Sequence, residues 1–461
     1  MQRTCNWILE ATGGSWEGNP VDLHRLVRGV STDTRTIRSN QLYVPLVGER
    51  FDGHQFVKDA EEKGAAAVLW QQDHPLPELN LPVIVVQDTL KALQRLAATY
   101  RQESQAKVVA VTGSNGKTTT KDLIASLLAE KVPVHKTQGN LNNHIGVPLT
   151  LLSMPEQTKV AVIEMGMNHR GEISVLSKIA RPDVAVITNI GESHIEHLGS
   201  REGIALAKLE IKDGLSPQGV IIMDGDEPLL QHFLVDDSTS RIKVGWQAGS
   251  DESPVEVKVM GTEGISFRSR KTGTQFTLPL LGRHNVKNAL LAIEVARYFE
   301  LREEEIVRGL AHVTLTGMRL EMKLSSNKML LIDDAYNASP TSMKAAIDLL
   351  AEIEPEKEKW ALLGDMLETG EQEEHYHREI GAYAMEKGIN RLYTIGERGR
   401  WILEGAMEAK SCDNQIIVHF HTPDEAVETL LQEGNQETIL LVKASRAARL
   451  DQIVKIMTEG A

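Results

Sequence analysis

Cysteine is scarce in this chain: Cys5 and Cys412 are the only two among 461 residues. Two thiols are too few for a disulfide framework or a four-cysteine zinc site. Long apolar runs are missing as well. Nothing approaches the ~18 consecutive apolar residues of a membrane span, and Glu10 and Gly13-Gly14 interrupt any apolar core of a leader peptide. Positive charge is in deficit, with 50 Lys and Arg against 64 Asp and Glu, a net charge of −14 and an isoelectric point near 5.6. That balance argues against nucleic acid or an anionic membrane surface as partner. No internal repeat or low-complexity tract is present. These absences leave a soluble, cytosolic globular protein that takes phosphates only at local pockets lined by cations or N–H groups. Its length suggests about three domains, each able to bury a core.

Three blocks follow from the pattern of apolar runs. In residues 1–105, short runs at 42–46, 65–69 and 83–86 are separated by turn residues, and a polar helix-like stretch at 89–105 follows. In residues 106–316, strand-like runs alternate with amphipathic segments. The runs at 160–163, 184–187 and 220–223 each end in a polar residue: Glu164, Thr188 and Asp224. Alternation of this kind implies a parallel sheet with ligands gathered at the carboxyl ends of its strands. The stretch 246–280 reads as a small antiparallel excursion. Residues 317–461 repeat the alternation, with runs at 329–332, 361–363, 392–395, 416–420 and 439–442 and a helical pattern at 341–353, as in a second doubly wound α/β domain.

The most specific chemistry lies in Ala110-Val-Thr-Gly-Ser-Asn-Gly-Lys-Thr-Thr119, between a β-branched run and a helical pattern carrying Leu123, Ile124, Leu127 and Leu128. A strand, a Gly-rich turn and a helix in that order form a phosphate cradle. Backbone N–H groups face the anion, Lys117 reaches the outer phosphates, and the Thr118 hydroxyl can ligate Mg²⁺. The first glycine of the common pattern would fall at 111, which is Val111; Gly113 takes that role in a shortened loop. Glu164, at a strand end beside this loop, is placed as a second Mg²⁺ ligand or as a helix-capping acid. His194 can ligate a metal, orient a carboxylate or sit in solvent. Lys208 is an isolated lysine on an apolar-faced helix, by default a snorkelling surface residue. His284 and Asn288, one helical turn apart, suit a base or ribose, or a helix cap. Asp333-Asp-Ala-Tyr-Asn-Ala-Ser-Pro340 marks a second strand end, and Arg319 and Lys443-Ala-Ser-Arg446 supply cations for phosphates or carboxylates across a cleft.

In order along nearly the whole chain, these segments resemble the Mur ligases, ATP-dependent amino-acid ligases of peptidoglycan synthesis. The match runs through Ser31-Thr-Asp-Thr-Arg35, Phe51-Asp-Gly-His54, the phosphate loop and Thr137-Gln-Gly-Asn-Leu-Asn-Asn-His144. It continues with Glu164-Met-Gly-Met-Asn168, Asn189-Ile-Gly-Glu-Ser-His194, Arg283-His-Asn-Val-Lys-Asn288, Asp333-Asp-Ala-Tyr-Asn337, Gly364-Asp-Met366 and Lys443–Arg446. Asp-Asp-Ala-Tyr-Asn, with Asn-Leu-Asn-Asn-His, is similar to the branch that adds D-alanyl-D-alanine to a UDP-sugar tripeptide. Two positions depart from the family pattern: Ala444 where glycine is usual and Thr369 where leucine is usual. Neither removes a functional group.

The resemblance implies an α/β, three-domain architecture. An N-terminal UDP-binding domain (1–105), a central P-loop ATPase domain with a parallel sheet (106–316) and a C-terminal Rossmann-like doubly wound domain (317–461) would follow one another. It implies ATP and Mg²⁺ as cofactors and a soluble monomer acting on small molecules. Ser31, Asp33, Thr34, Arg35, Asp52, His54, Asn140, Asn142 and Asn143 would bind the UDP-sugar substrate, with Tyr336 and Asn337 near the incoming dipeptide. Gly113, Ser114, Asn115, Gly116, Lys117, Thr118, Thr119, Asn288, Arg319 and Asp334 would bind ATP. Thr118, Glu164, His194 and Lys208, the last as a carbamate, would hold the metal. Lys117, Glu164, His194 and Lys208 would carry catalysis. Residues on both sides of position 317 would touch one ATP, so the last two blocks must approach each other in turnover. Rival readings are a generic P-loop NTPase, which leaves the N-terminal block without a role, and a folylpolyglutamate-type ligase, which lacks that block. A related amidotransferase subunit would need a cysteine zinc ribbon that two cysteines cannot form.

Overall fold

The β-branched run 108–111 is buried on both faces, as a strand covered by helices on each side should be. It forms the middle of strand Lys107–Thr112, at the centre of a six-stranded sheet. The computed structural model describes residues 1–17, 19–316, 320–409 and 414–459. Across this sheet the strands run Ser240–Val244, Val220–Asp224, Val184–Ile187, Lys107–Thr112, Val160–Glu164 and Val134–Lys136, each pair parallel. Later strands lie on one side of Lys107–Thr112 and Val134–Lys136 and Val160–Glu164 on the other, so the winding reverses there. A reversal of this kind opens a crevice at the carboxyl ends of the strands.

The first block carries a five-stranded sheet ordered Ser15–Glu17, Val83–Val86, Ala67–Gln71, Leu42–Tyr43 and Val30–Ser31, antiparallel only at the first pair. Strand Leu42–Tyr43 is shorter than the apolar run 42–46, because Pro45 has no N–H to continue a ladder. Helix Thr89–Glu103 joins this block to the next. Asp88 caps it through the Lys91 N–H (2.8 Å), and Leu93, Leu96, Ala97 and Tyr100 lie buried on one face. Each such leucine contributes roughly 2 kcal/mol. The helix is also tied forward: Tyr100 Oη donates to the Met154 carbonyl (2.8 Å) and Arg101 Nε to that of Ala180 (2.7 Å). One apolar cluster therefore runs without a break from Cys5 to Leu234.

The excursion inside the second block is a three-stranded antiparallel sheet of Pro254–Val259, Ile265–Ser269 and Gln275–Leu278. Phe267 and Phe276 pair across it with ring centroids 5.5 Å apart. The last block is a six-stranded sheet ordered Glu321–Leu324, Leu330–Asp333, Thr438–Lys443, Glu358–Leu363, Arg391–Ile395 and Ile416–Phe420, antiparallel only at its first pair. Among the described residues, no helix is long and apolar enough to cross a membrane.

Candidate active site

Strand Lys107–Thr112 delivers the chain into a turn that only glycine can make. Gly113 has φ +147°, and a Cβ there would lie 1.8 Å from Thr188 Oγ1. Gly116 has φ +78°, and its Cβ would meet Asn288 Oδ1 at 2.7 Å. Helix Lys117–Ala129 starts at once, so its unpaired N–H groups open onto the turn. The neighbouring strand end braces the loop. Asn115 N–H donates to Asn189 Oδ1 (2.9 Å), Gly191 N–H to Ser114 Oγ (2.8 Å) and Thr188 Oγ1 to the Asn115 carbonyl (2.5 Å). Asn115 Nδ2 is buried and has no partner, a donor left for a ligand. Lys117 Nζ folds over the loop onto the carbonyls of Gly113 (2.8 Å) and Ser114 (3.2 Å). We expect Gly116→Ala to cost about 1–3 kcal/mol through its backbone alone and to weaken nucleotide binding at least tenfold, measured by melting and calorimetric titration.

Glu164 is not a helix cap. It ends strand Val160–Glu164 as a buried carboxylate, taking the Thr118 hydroxyl on Oε2 (2.9 Å) and Asn142 Nδ2 on Oε1 (2.9 Å). Adjacent ligands of an octahedral ion with bonds of about 2.1 Å lie about 3 Å apart, so this hydroxyl–carboxylate pair suits a hard cation such as Mg²⁺. Lys208 departs from the surface reading: it is 2% exposed, on helix Arg201–Leu209. Burial, and then the neighbouring Lys117 ammonium, push its pKa well below the usual lysine range. His194 Nδ1 meets Glu368 Oε2 of the last block at 2.5 Å.

The two α/β sheets face each other across a cavity of about 1090 Å³. Ser114–Lys117, Thr119, Glu164, His194 and Asn288 line it from one side, and Asp334, Tyr336, Asn337 and Lys443 from the other. Lys443 Nζ donates to Asp334 Oδ2 (2.5 Å) and to the Asn337 carbonyl (3.0 Å), which ties the end of one strand to the turn after another. Asn142 and Asn143 also line the cavity. Asn143 Oδ1 takes the N–H groups of Ile145 and Gly146 at a helix start. Gly113, Thr118, Lys208 and Asn140 are outside the lining. Arg319 lies outside the described residues.

Ser31, Asp33, Thr34, Arg35, Asp52 and His54 form a separate group on the first block and do not reach this cavity. Asp33 holds Arg35 (2.7 Å), and Ser31 Oγ accepts the Asp33 N–H (3.2 Å). Asp52 lies between two imidazoles, His54 Nδ1 (2.7 Å) and His74 Nε2 (2.9 Å); against the opposing effect of burial, the His54 backbone N–H (2.9 Å) and then these two rings hold its carboxyl down near 2. Motif reading also missed pairings around the cavity. Glu192 Oε2 takes the Thr341 hydroxyl across it (2.6 Å), and within the central block Lys287 binds Asp224 (2.8 Å). His284 lines the cavity with its side chain open to it, and loss of solvation in the cleft pushes its imidazole down to about 4.

The description "Mur ligase middle domain" matches residues 111–296, "Mur ligase, glutamate ligase domain" residues 318–446, and "Mur ligase family, catalytic domain" residues 26–101. The UDP-N-acetylmuramoyl-tripeptide–D-alanyl-D-alanine ligase of Bacillus subtilis is 47% identical over 460 residues, 100% of this chain and 99% of its own. The Escherichia coli protein of the same name is 35% identical, over 99% of this chain and 98% of its own. Among solved structures, MurF from Acinetobacter baumannii superposes with a TM-score of 0.90 at 32% identity, covering 100% of this chain and 99% of its own. MurF ligase from Thermotoga maritima in complex with ADP gives 0.82 at 27% identity, covering 94% and 97%. With three family models covering most of its length and relatives matched from end to end, the chain belongs to the Mur ligase family.

Proposed function

We propose that the chain joins D-alanyl-D-alanine to a UDP-N-acetylmuramoyl-tripeptide, with ATP hydrolysed to ADP and phosphate, in peptidoglycan precursor synthesis. The observation that carries this reading is the single cavity onto which the phosphate loop, Glu164 and the Asp334–Lys443 edge converge from two domains. The full-length match to relatives of that name supports the substrate choice, and the ADP complex of one relative supports ATP as the nucleotide. The assigned units are 1–105 for the UDP-sugar, 106–316 for ATP and 317–461 for closure and the dipeptide. We assign the enzyme to the cytoplasm, as a monomer.

A carboxylate is a poor electrophile, so the reaction runs in two steps. A tripeptide carboxylate oxygen attacks the γ-phosphorus, ADP departs, and an acyl phosphate forms. The dipeptide's neutral amine then attacks the acyl carbon, phosphate leaves, and the amine gives up a proton. Negative charge builds on transferring oxygens in both steps. Lys117 swings from the Gly113 and Ser114 carbonyls to the phosphates, and Asn115 Nδ2 with the loop N–H groups completes the cradle. Thr118 and Glu164, with His194 and a carbamylated Lys208, would hold Mg²⁺, which supplies further charge stabilisation when bound. Asp334, Tyr336, Asn337 and Lys443 approach from the other side, which excludes water from the acyl phosphate.

The test is phosphate release with UDP-MurNAc-tripeptides carrying L-Lys or meso-diaminopimelate, each with and without D-Ala-D-Ala. Release that requires both tripeptide and dipeptide supports the assignment. ATP hydrolysis indifferent to both would replace it with a generic NTPase.

A further inference from the structure

The strongest unexplained feature outside the ATP cradle is the joint between His194 and Glu368, 174 positions apart. Two bonds make it. The Glu368 carboxylate meets His194 Nδ1 at 2.5 Å, and the Glu368 carbonyl takes the Glu196 N–H (3.4 Å). Both side-chain-bearing residues sit in the left-handed backbone region, φ +66° for His194 and +60° for Glu368, a conformation that persists only where surrounding contacts enforce it. The enforcing contacts are visible. Leu367 N–H donates to Ser445 Oγ (2.9 Å), which ties the turn to the end of strand Thr438–Lys443. Gly370, at φ +68°, lets the backbone of Glu196 approach to 3.3 Å of where a Cβ would stand.

The chemistry of the pair follows from its geometry. A carboxylate only accepts hydrogen bonds, so His194 must present a proton on Nδ1. Neutral imidazole then keeps its lone pair on Nε2, on a residue that lines the cavity beside Lys117 and Glu164. A histidine whose far nitrogen is held by a carboxylate is the usual arrangement of a metal-binding imidazole, because it fixes ring orientation and tautomer. Here the two groups belong to different domains.

We propose that Glu368 is a positioning residue: it sets the His194 tautomer that offers Nε2 to the divalent cation, so the cation site is complete only when the C-terminal domain is docked. This rests on the reading of His194 as a cation ligand. Glu368 itself is outside the cavity lining, and its side chain is 42% exposed, so its removal leaves the fold intact.

The experiment titrates Mn²⁺ into the full-length enzyme with a non-hydrolysable ATP analogue and follows the metal's spin-resonance signal. Melting temperature and metal-free nucleotide affinity are the controls. Glu368→Ala is expected to weaken Mn²⁺ binding about 10- to 100-fold, as His194→Ala does, with both controls unchanged and the double variant no weaker than His194→Ala. Glu368→Gln, whose amide oxygen still accepts from Nδ1, should recover most of the affinity. Wild-type Mn²⁺ affinity in Glu368→Ala, with a loss in His194→Ala, overturns the proposal and leaves His194 as a ligand. Equal losses in the Ala and Gln variants overturn the tautomer argument. Unchanged binding in His194→Ala removes the reading beneath it.

Discussion

Lys117→Ala is expected to lower ligation by about 10³-fold or more while melting shifts by less than about 1 kcal/mol in stability. The first figure follows from losing the one side-chain cation of the loop at the charge built during phosphoryl transfer. Single preorganised donors at such positions are worth about 10²–10³ in kcat, and a full charge exceeds a neutral donor. The second follows from what the side chain does in the ligand-free fold, where its ammonium donates to two carbonyls of its own turn. Lys117→Arg is not a rescue, because a planar guanidinium cannot follow the same path between loop and phosphate. The substitution also has a remote effect: the Lys117 ammonium helps hold down the Lys208 pKa, so Lys208 should titrate higher in the variant. Coupled ADP release and thermal melting on one preparation decide the matter. Near-normal turnover in a folded variant removes Lys117 from the reaction.

Much of this architecture was legible because each of its signals is local. β-Branched runs ending in a polar residue became parallel strands with Glu164, Thr188 and Asp224 at their carboxyl ends. The helical pattern at 341–353 appears as Pro340–Glu352, shifted one residue because Ser339 caps it and Pro340 takes the first turn. The phosphate loop was readable because its glycines answer to backbone geometry rather than to distant partners. What escaped has one physical cause: long-range side-chain pairing leaves no periodic trace. Glu368 lies two positions beyond a recognised motif, yet its partner is 174 residues upstream. Asp122, on the phosphate-loop helix, holds the N–H (2.8 Å) and hydroxyl (2.9 Å) of Thr316, just before the last domain, and no spacing rule links them. Lys208 is a different failure, because the signal was present. It stands four residues after Ile204 and three after Ala205 on one helix, both fully buried, so helical periodicity put it on the inward face. The default for lysine outweighed the pattern.

That buried position makes Lys208 the second large effect, with loss of most ligation expected in Lys208→Ala. A lysine removed from water beside another ammonium gives up its proton far more readily than a solvated one, and it is the neutral amine that attacks CO₂. The nitrogen would bond to carbon and release a proton, leaving an anionic carbamate in place of the amine. The repulsion with Lys117 becomes an attraction, and two oxygens suited to a hard cation appear at the same place. Small carboxylic acids such as formate or acetate should therefore restore part of the lost rate in Lys208→Ala, since they fit the volume the side chain vacates. The pH signature separates this from a packing effect. The folded pKa is depressed below the unfolded value near 10.5, so the unfolded chain binds more protons throughout the interval between them. Stability then rises with pH across that interval. Wild type measured without bicarbonate should show this slope, and Lys208→Met, which keeps the buried volume and loses the titration, should not. Wild-type rates in Lys208→Ala would return the residue to a structural role. Lost rates that no carboxylic acid restores, with identical pH slopes in wild type and Lys208→Met, would reject the carbamate.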